Sequence, residues 1–445
     1  MEVAAAVGGR APQRVYIDVH VKFVITFVAA SSWFALSLWL ALPWMRDLAH
    51  LSDWAISIFM VGGIALVPGF MNSFLIASLL LDRRPPRVRL ASFPSITILV
   101  AAFNESASIA ATVQSIERQH YPGLFEVLVI DDGSTDDTAD IVSGLQFPWL
   151  SLLRQPKNGG KSAALNRGLA QARYPLIVTL DADSYPYKDA LEHLVERYVG
   201  DPANTRAVAG AMLVRNSRVS WITKMQEWDY FHGIAATKRM QSMFQGTLVA
   251  QGAFSIYDRQ TLRDLGGWEN CVGEDIVLTW AILEAGWRVG HAEDAVCFTE
   301  VPTTLTQLIR QRNRWARGMI EAFRRHPRIL IVPRLSTALV WWDLFFPWLD
   351  LAFTLCFIPG IVLAFFGYFW IAGPMTLVLL PISMLMNAVM HHVSKKTFDA
   401  EGLTVRRNPL GFVMYVVGYS LVLQPASVFG YLSELFGMRK TWGTK

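Results

Sequence analysis

Two runs near the start of the chain, Lys22 to Met45 and Ala55 to Leu81, are almost free of charge, and each is long enough to cross the hydrocarbon core of a bilayer as a helix. Further apolar runs, near Ala338 to Phe366, Tyr368 to Val393 and Gly411 to Met438, follow a long polar stretch. Between the two sets, from about Ser92 to about Val301, the period shortens. There, β-branched runs such as SITILVAAF (95–103) and FEVLVIDDG (125–133) alternate with helix-like stretches such as ESASIAATVQSIERQ (105–119). The pattern predicts an α/β domain with parallel strands, inserted between two groups of membrane helices. In order, it gives a cytoplasmic N-terminus over 1–21, two spans over 22–81, the α/β domain over 82–304, interfacial helices over 305–336, membrane or re-entrant segments over 337–438 and a tail over 439–445.

Composition supports this partition. The chain has 445 residues, 53% of them hydrophobic, and a mean hydropathy of +0.31, high for a protein wholly in water. The first apolar run starts too late, runs too long and lacks the small-residue pattern of a cleaved signal peptide. The basic run DRRPPRVR (82–89) belongs on the cytoplasmic side, which puts the α/β domain there and returns Arg10 and Arg14 to the same side. Cys271, Cys297 and Cys356 show no disulfide or zinc spacing, in keeping with a reducing compartment. Downstream the charges conflict, because Ser394 to Pro409 and Gly437 to Lys445 are both basic with a single apolar run between them. Either the tail is exported despite its charge, or the segment enters the membrane and turns back, broken at Pro425, the form preferred here. The net charge of +4 comes with no nucleic-acid motif.

Ligands of parallel sheets bind beyond the strand C-termini, where Asn104, Glu105, Asp131, Asp132, Asp181 and Asp183 all fall. The run Pro175 to Leu180 reads as a strand, and the acids that close it are one residue apart. On a continuing strand two such carboxylates point the same way and repel, so a positive partner belongs beside them. A divalent cation carrying a phosphate ester meets that need. Asp131 and Asp132 suit a base edge or a ribose hydroxyl. In PKNGGKSAALNRGL (156–169) two glycines admit a ligand to the backbone, Lys161 offers a cation to phosphate, and Ser162 begins a helix whose N-terminus favours anions. The spacing is not that of a phosphate-binding P-loop, which sets ATP-hydrolysing motors aside. Glu274 and Asp275 open another helix, and Asp275 suits a base that takes the proton of an attacking hydroxyl. Gln311, Arg314 and Trp315, at i, i+3 and i+4, share one helical face: Arg314 for a departing diphosphate, Trp315 for a sugar ring, Gln311 for a hydroxyl or phosphate. The same helix is basic and amphipathic, with Leu305, Leu308 and Ile309 placed toward lipid and Arg310, Arg312 and Arg317 at head groups. Taken singly, each motif also has an ordinary explanation as a turn, a cap or a surface helix.

Taken in order, Asp132, Asp181-x-Asp183, Glu274-Asp275 and Gln311-x-x-Arg314-Trp315 resemble the processive, membrane-embedded inverting glycosyltransferases of family 2, which include cellulose, chitin and hyaluronan synthases. QGAFSIYDRQTLRDLGGW (251–268), GEDIVLTW (273–280) and QRNRWARGMIEAF (311–323) look most like bacterial poly-β-1,6-N-acetylglucosamine synthases. The resemblance implies a GT-A nucleotide-diphospho-sugar transferase domain in the inner membrane of a bacterium, polymerising N-acetylglucosamine from UDP-GlcNAc onto a growing polysaccharide and helping to move it across. It further implies Mg²⁺ or Mn²⁺ held by Asp183 with help from Asp181, uridine contacted by Asp132 with Asp131 in support, and Asp275 as base beside Glu274. Arg314 and Trp315 would hold the diphosphate and the acceptor end. A small membrane subunit and activation by cyclic di-GMP belong to the same family picture, although no cyclic-dinucleotide domain is recognisable here. Gly273 departs from the Thr that many relatives carry before the acid pair. Two rival readings are a transferase adding one sugar to a membrane lipid, since ceramide glucosyltransferases share the terminal Arg-Trp, and a non-catalytic membrane subunit or transporter that retains the fold. Trp341, Trp342, Phe345, Phe346 and Trp348 are candidates for a sugar path or for interfacial anchors.

Overall fold

The β-branched runs of the central segment become the strands of a single mixed sheet: β1 (Ile96–Ala102), β2 (Phe125–Asp131), β3 (Leu150–Arg154), β4 (Leu176–Asp181), β5 (Ser184–Pro186), β6 (Thr205–Val214), β7 (Phe254–Asp258) and β8 (Arg288–Thr299). These are seen in a computed structural model that describes residues 17–83, 87–404 and 406–438. Arg10, Arg14, Arg84 of the basic run and residues 439–445 lie outside the described residues. The strand order is β3-β2-β1-β4-β7-β6-β8-β5. β3, β2, β1 and β4 run parallel, and β7 is antiparallel to both of its neighbours. The register sets Ala102 against Asp131 and Ala101 against Asp181, so the acids of two strands arrive at one edge.

Alternation along β1 and its neighbours feeds two cores. Ile98, Val100, Val127, Val129, Val178 and Leu180 pack on one face with the helices Ile109–Glu117 and Ala190–Gly200. Leu99, Leu128, Ile130 and Ile177 pack on the other with Lys161–Gln171 and Glu274–Glu284. The second core does not stop at the domain. It continues through Met240 and Phe244 of the 237–244 segment to Phe74 and Leu79 of the second apolar helix. The Phe244 ring lies 5.2 Å from Phe23 and 5.6 Å from Phe74, so the domain and the first two apolar helices share packed side chains.

Among the described residues, four helices are long and apolar enough to cross a membrane: Val19–Leu51, Trp54–Leu81, Leu335–Phe365 and Pro409–Leu435. Val24, Phe27, Leu36, Trp39 and Leu40 on the first are exposed, as a lipid-facing surface requires. The run expected over 368–393 forms the 27-residue helix Pro374–Ala400, which carries Pro381 within it. The final apolar run differs from expectation. It is not broken at Pro425: the helix Ser420–Leu435 carries that proline within it, and the departure from α geometry comes earlier, in the π-turn Tyr415–Tyr419. This helix lies alongside Leu305–Arg325 in the same sense. Leu308 packs with Tyr419, Gly430 closes on Asn313 and Ala316, and Arg317 and Arg324 reach Glu434.

Of the aromatic cluster, Trp342 packs edge-on against Phe74, and Trp348 donates to the Phe59 carbonyl and closes on Gly62 and Gly63. These two tryptophans join helices to one another.

Candidate active site

The cleft is built at the C-terminal edge of β1, β2 and β4. Asn104, just beyond β1, takes a left-handed conformation (φ 55°) that asparagine tolerates better than most residues. Its side-chain oxygen accepts from the Thr135 amide at 2.9 Å, while its own amide donates to Ser134 Oγ, knitting the two strand-end loops together. Asp131 accepts from the Ser134 amide at 3.1 Å. Asp132 is almost fully buried and accepts from the amides of Gly159 (2.9 Å) and Gly160 (2.8 Å) and from Gln155 Nε2 (3.0 Å). Burial, with the Asp131 charge beside it, pushes the Asp132 carboxyl up despite those amides. Asp132 thus shapes the glycine turn that leads into Lys161–Gln171, a role its position in the sequence did not disclose.

β4 ends at Asp181; Ala182 and Asp183 form a turn into β5. The two acids therefore do not share one face of a continuous strand, and the positive partner of Asp181 is a protein group. Lys161 Nζ stands 2.5 Å from Asp181 Oδ1 and 3.5 Å from Glu274 Oε1. Burial works against the Lys161 charge, but Asp181 and Glu274 outweigh it and hold its pKa above the usual lysine value. Burial pushes the Glu274 carboxyl up in turn, opposed by Lys161. Asp183 remains half-exposed beyond β4, and its charge and that of Arg314 both act on the buried Tyr230 hydroxyl.

Asp275 opens its helix as expected, with Oδ2 receiving the Gly252 amide at 3.3 Å. A Cβ at Gly252 would meet Lys161 Nζ at 2.8 Å, so the lysine tip would have to shift to admit a side chain. The acid pair is tied to the amphipathic helix by Glu321, whose Oε2 accepts from the amides of Val272 (2.8 Å) and Gly273 (3.0 Å). Gly273 itself faces Gly318 of that helix. A Cβ on Gly273 would lie 2.5 Å from the Gly318 Cα, so the Thr of many relatives has no room at this spacing.

Gln311, Arg314 and Trp315 all lie on Leu305–Arg325. Gln311 Oε1 and Arg314 Nε are buried and make no hydrogen bond among the described residues, while Trp315 is 39% exposed. The placement of the other arginines at head groups is corrected in two cases. Arg312 pairs with Asp229 at 2.7 Å and Arg317 with Glu434 at 3.2 Å, both buried, and Leu308 is buried in protein as well. Lys238, missed in the sequence, is buried near Asp275. Burial pushes its ammonium down to about 7, against the pull of that carboxylate. TKRMQSM reads as an ordinary helix with no sign that its lysine turns inward.

Residues 97–266 match the family model described as "Glycosyl transferase family 2". The chain is 32% identical over 247 residues to a poly-beta-1,6-N-acetyl-D-glucosamine synthase of Staphylococcus aureus, covering 54% of this chain and 58% of the relative. It is 33% identical over 235 residues to the synthase of the same name from Staphylococcus epidermidis, covering 52% and 56%. The matched region thus spans a little over half the length of these curated relatives. Among solved structures, a mannosyltransferase, PcManGT, from Pyrobaculum calidifontis in complex with GDP-Man and Mn²⁺ superposes with a TM-score of 0.58 at 20% identity, covering 86% of this chain and 98% of that one. The fold is a mixed α/β GT-A core with flanking apolar helices.

Proposed function

We propose that this protein is a membrane-bound inverting glycosyltransferase that transfers N-acetylglucosamine from UDP-GlcNAc onto a growing β-1,6-linked chain. The observation that carries the reading is the joining of two halves of one site. The Lys161–Asp181–Glu274 cluster and Asp275 sit by the sheet edge, and Glu321 ties their loop to the helix whose Gln311 Oε1 and Arg314 Nε are buried with no hydrogen bond among the described residues. The similarity to synthases of that polymer supports the donor and the linkage. We place the domain on the cytoplasmic side of the inner membrane, where UDP-sugars are made, with the bilayer around the apolar helices.

In this mechanism the acceptor sugar rests on the exposed Trp315 ring. Its hydroxyl attacks the anomeric carbon while the proton passes to Asp275, which Gly252 orients. The bond from that carbon to the diphosphate oxygen breaks from the opposite face, so an α-linked donor gives a β-linkage. UDP leaves with the electron pair, and Arg314 and Lys161 answer the charge that grows on it. Glu274 keeps Lys161 in place rather than moving a proton. Asp131 and Asp132 shape the uridine end of the cleft through the Ser134 and Gly159–Gly160 turns. The half-exposed carboxylate of Asp183 offers the hard oxygen donor that Mg²⁺ or Mn²⁺ takes, Asp181 being engaged by Lys161, and such an ion would add Lewis-acid stabilisation of the diphosphate.

The test is UDP release across a panel of UDP-sugars in native membranes, with the product then digested by a β-1,6-specific hexosaminidase. Release with UDP-GlcNAc and a digestible long product is expected, with Asp275→Asn lowering the rate at least about 1000-fold, the scale of losing a transition-state proton acceptor. A single sugar on a chloroform-extractable lipid would replace the polymer assignment. Unchanged turnover in Asp275→Asn would remove Asp275 as base. A small membrane subunit or cyclic di-GMP would show as a requirement for its addition in the purified protein.

A further inference from the structure

Arg312 fills one of the two unspecified places between Gln311 and Arg314, and one end of its guanidinium is held by two buried groups. Its Nη2 donates to Asp229 Oδ2 and to the Tyr419 hydroxyl, each at 2.7 Å, and that hydroxyl donates onward to Asp229 Oδ2 at 3.0 Å. The three groups close a ring drawn from three parts of the chain: the end of the helix Trp221–Asp229 in the α/β domain, the amphipathic helix, and the last apolar helix. All three are nearly buried. The guanidinium carbon also lies 4.1 Å from the ring centroid of Trp315, its own neighbour three residues on.

We infer that Arg312 is a positioning residue for the acceptor sugar, acting through Trp315. The inference rests on the reading that Trp315 stacks on that sugar. A half-exposed indole on a helix surface has several rotamers open to it. A flat cation fixed from behind by Asp229 and Tyr419 removes that freedom by covering one face of the ring, and the remaining surface is presented in one orientation. Lysine would keep the charge that Asp229 needs but has no planar group to stack, so the two roles separate by substitution.

The experiment uses the full chain in native membranes. UDP release from saturating UDP-GlcNAc is followed against rising concentrations of a short N-acetylglucosamine oligosaccharide, for wild type, Arg312→Lys, Trp315→Ala and the double variant. Arg312→Lys is expected to raise the acceptor KM about 5- to 30-fold, the range a desolvated cation–π contact supports. It should leave the donor KM and the rate at saturating acceptor within about twofold, and add nothing in the Trp315→Ala background. Tyr419→Phe, which removes one hydroxyl, should shift the acceptor KM the same way by less. A donor KM that rises, or a rate at saturating acceptor that falls, alongside the rise in acceptor KM, an effect that multiplies with Trp315→Ala, or an unchanged acceptor KM would each overturn the positioning role. If Trp315→Ala itself leaves the acceptor KM unchanged, the stacking reading fails instead.

Discussion

Gly252 shows how tightly single residues are held to their task. Its amide points at Asp275, and the space where a side chain would sit belongs to Lys161 Nζ. In Gly252→Ala the added methyl pushes Lys161 from Asp181 and Glu274, and UDP release should fall about tenfold, equivalent to some 1.4 kcal/mol of transition-state stabilisation. A variant with wild-type rates would deny Lys161 its place in the reaction. Lys238 makes a different prediction. Its pKa, about 7 when folded against the ordinary 10.5, means that the unfolded chain binds more protons between those values, so stability gained from this site rises with pH across that window and is lost as pH falls through 7. Melting in detergent from pH 7 to 10 should therefore favour wild type increasingly over Lys238→Met, and parallel curves would refute the shift. The acids at strand and helix ends were legible from position alone. Lys238 and the burial of Asp132 were not, because whether a polar side chain turns inward depends on neighbours far away in sequence.

Among the elements, the helix Ser420–Leu435 and the amphipathic helix are joined by buried charge. Arg317 pairs with Glu434 at 3.2 Å and also donates to the Met438 carbonyl, with Arg324 a more exposed second partner at 3.6 Å. Removing one member of a buried pair typically costs about 3–5 kcal/mol because the other is left without its counter-charge; Arg324 should hold the loss in Arg317→Ala toward the lower end. The variant should melt several degrees lower in detergent, and the shift should persist at high salt, where an exposed pair would already be screened. No change in melting would mean that the helices hold together without this pair. Hydropathy located both helices, yet Leu308, Arg312 and Arg317 were assigned to lipid and head groups. An apolar or basic side chain reads the same in sequence whether it faces a bilayer or a partner helix, and only the packing of Tyr419 and Glu434 distinguishes the two.

On the scale of the whole molecule, the order of apolar helices, α/β domain and apolar helices was readable from the length of the uncharged runs and from the alternation of strand-like and helix-like stretches between them. The route by which the site is completed was not. The sheet edge supplies Asp181, Asp183 and Asp275, but Gln311, Arg314 and Trp315 depend on a helix braced from outside the domain. A fragment covering 87–304 should therefore keep the sheet, as circular dichroism would report, and release no UDP from UDP-GlcNAc; turnover by that fragment would show that the helix is dispensable. The ring around Arg312 also has a consequence in time. Arg312 leaves the ribosome 107 residues before Tyr419, an interval of roughly 5–20 s at ordinary rates of synthesis. Throughout it, the segment destined to hold the acceptor lacks one of its braces. The ring of Arg312, Asp229 and Tyr419 therefore closes only after the last apolar helix has been translated and docked, which makes this contact one of the last to form as the chain is made.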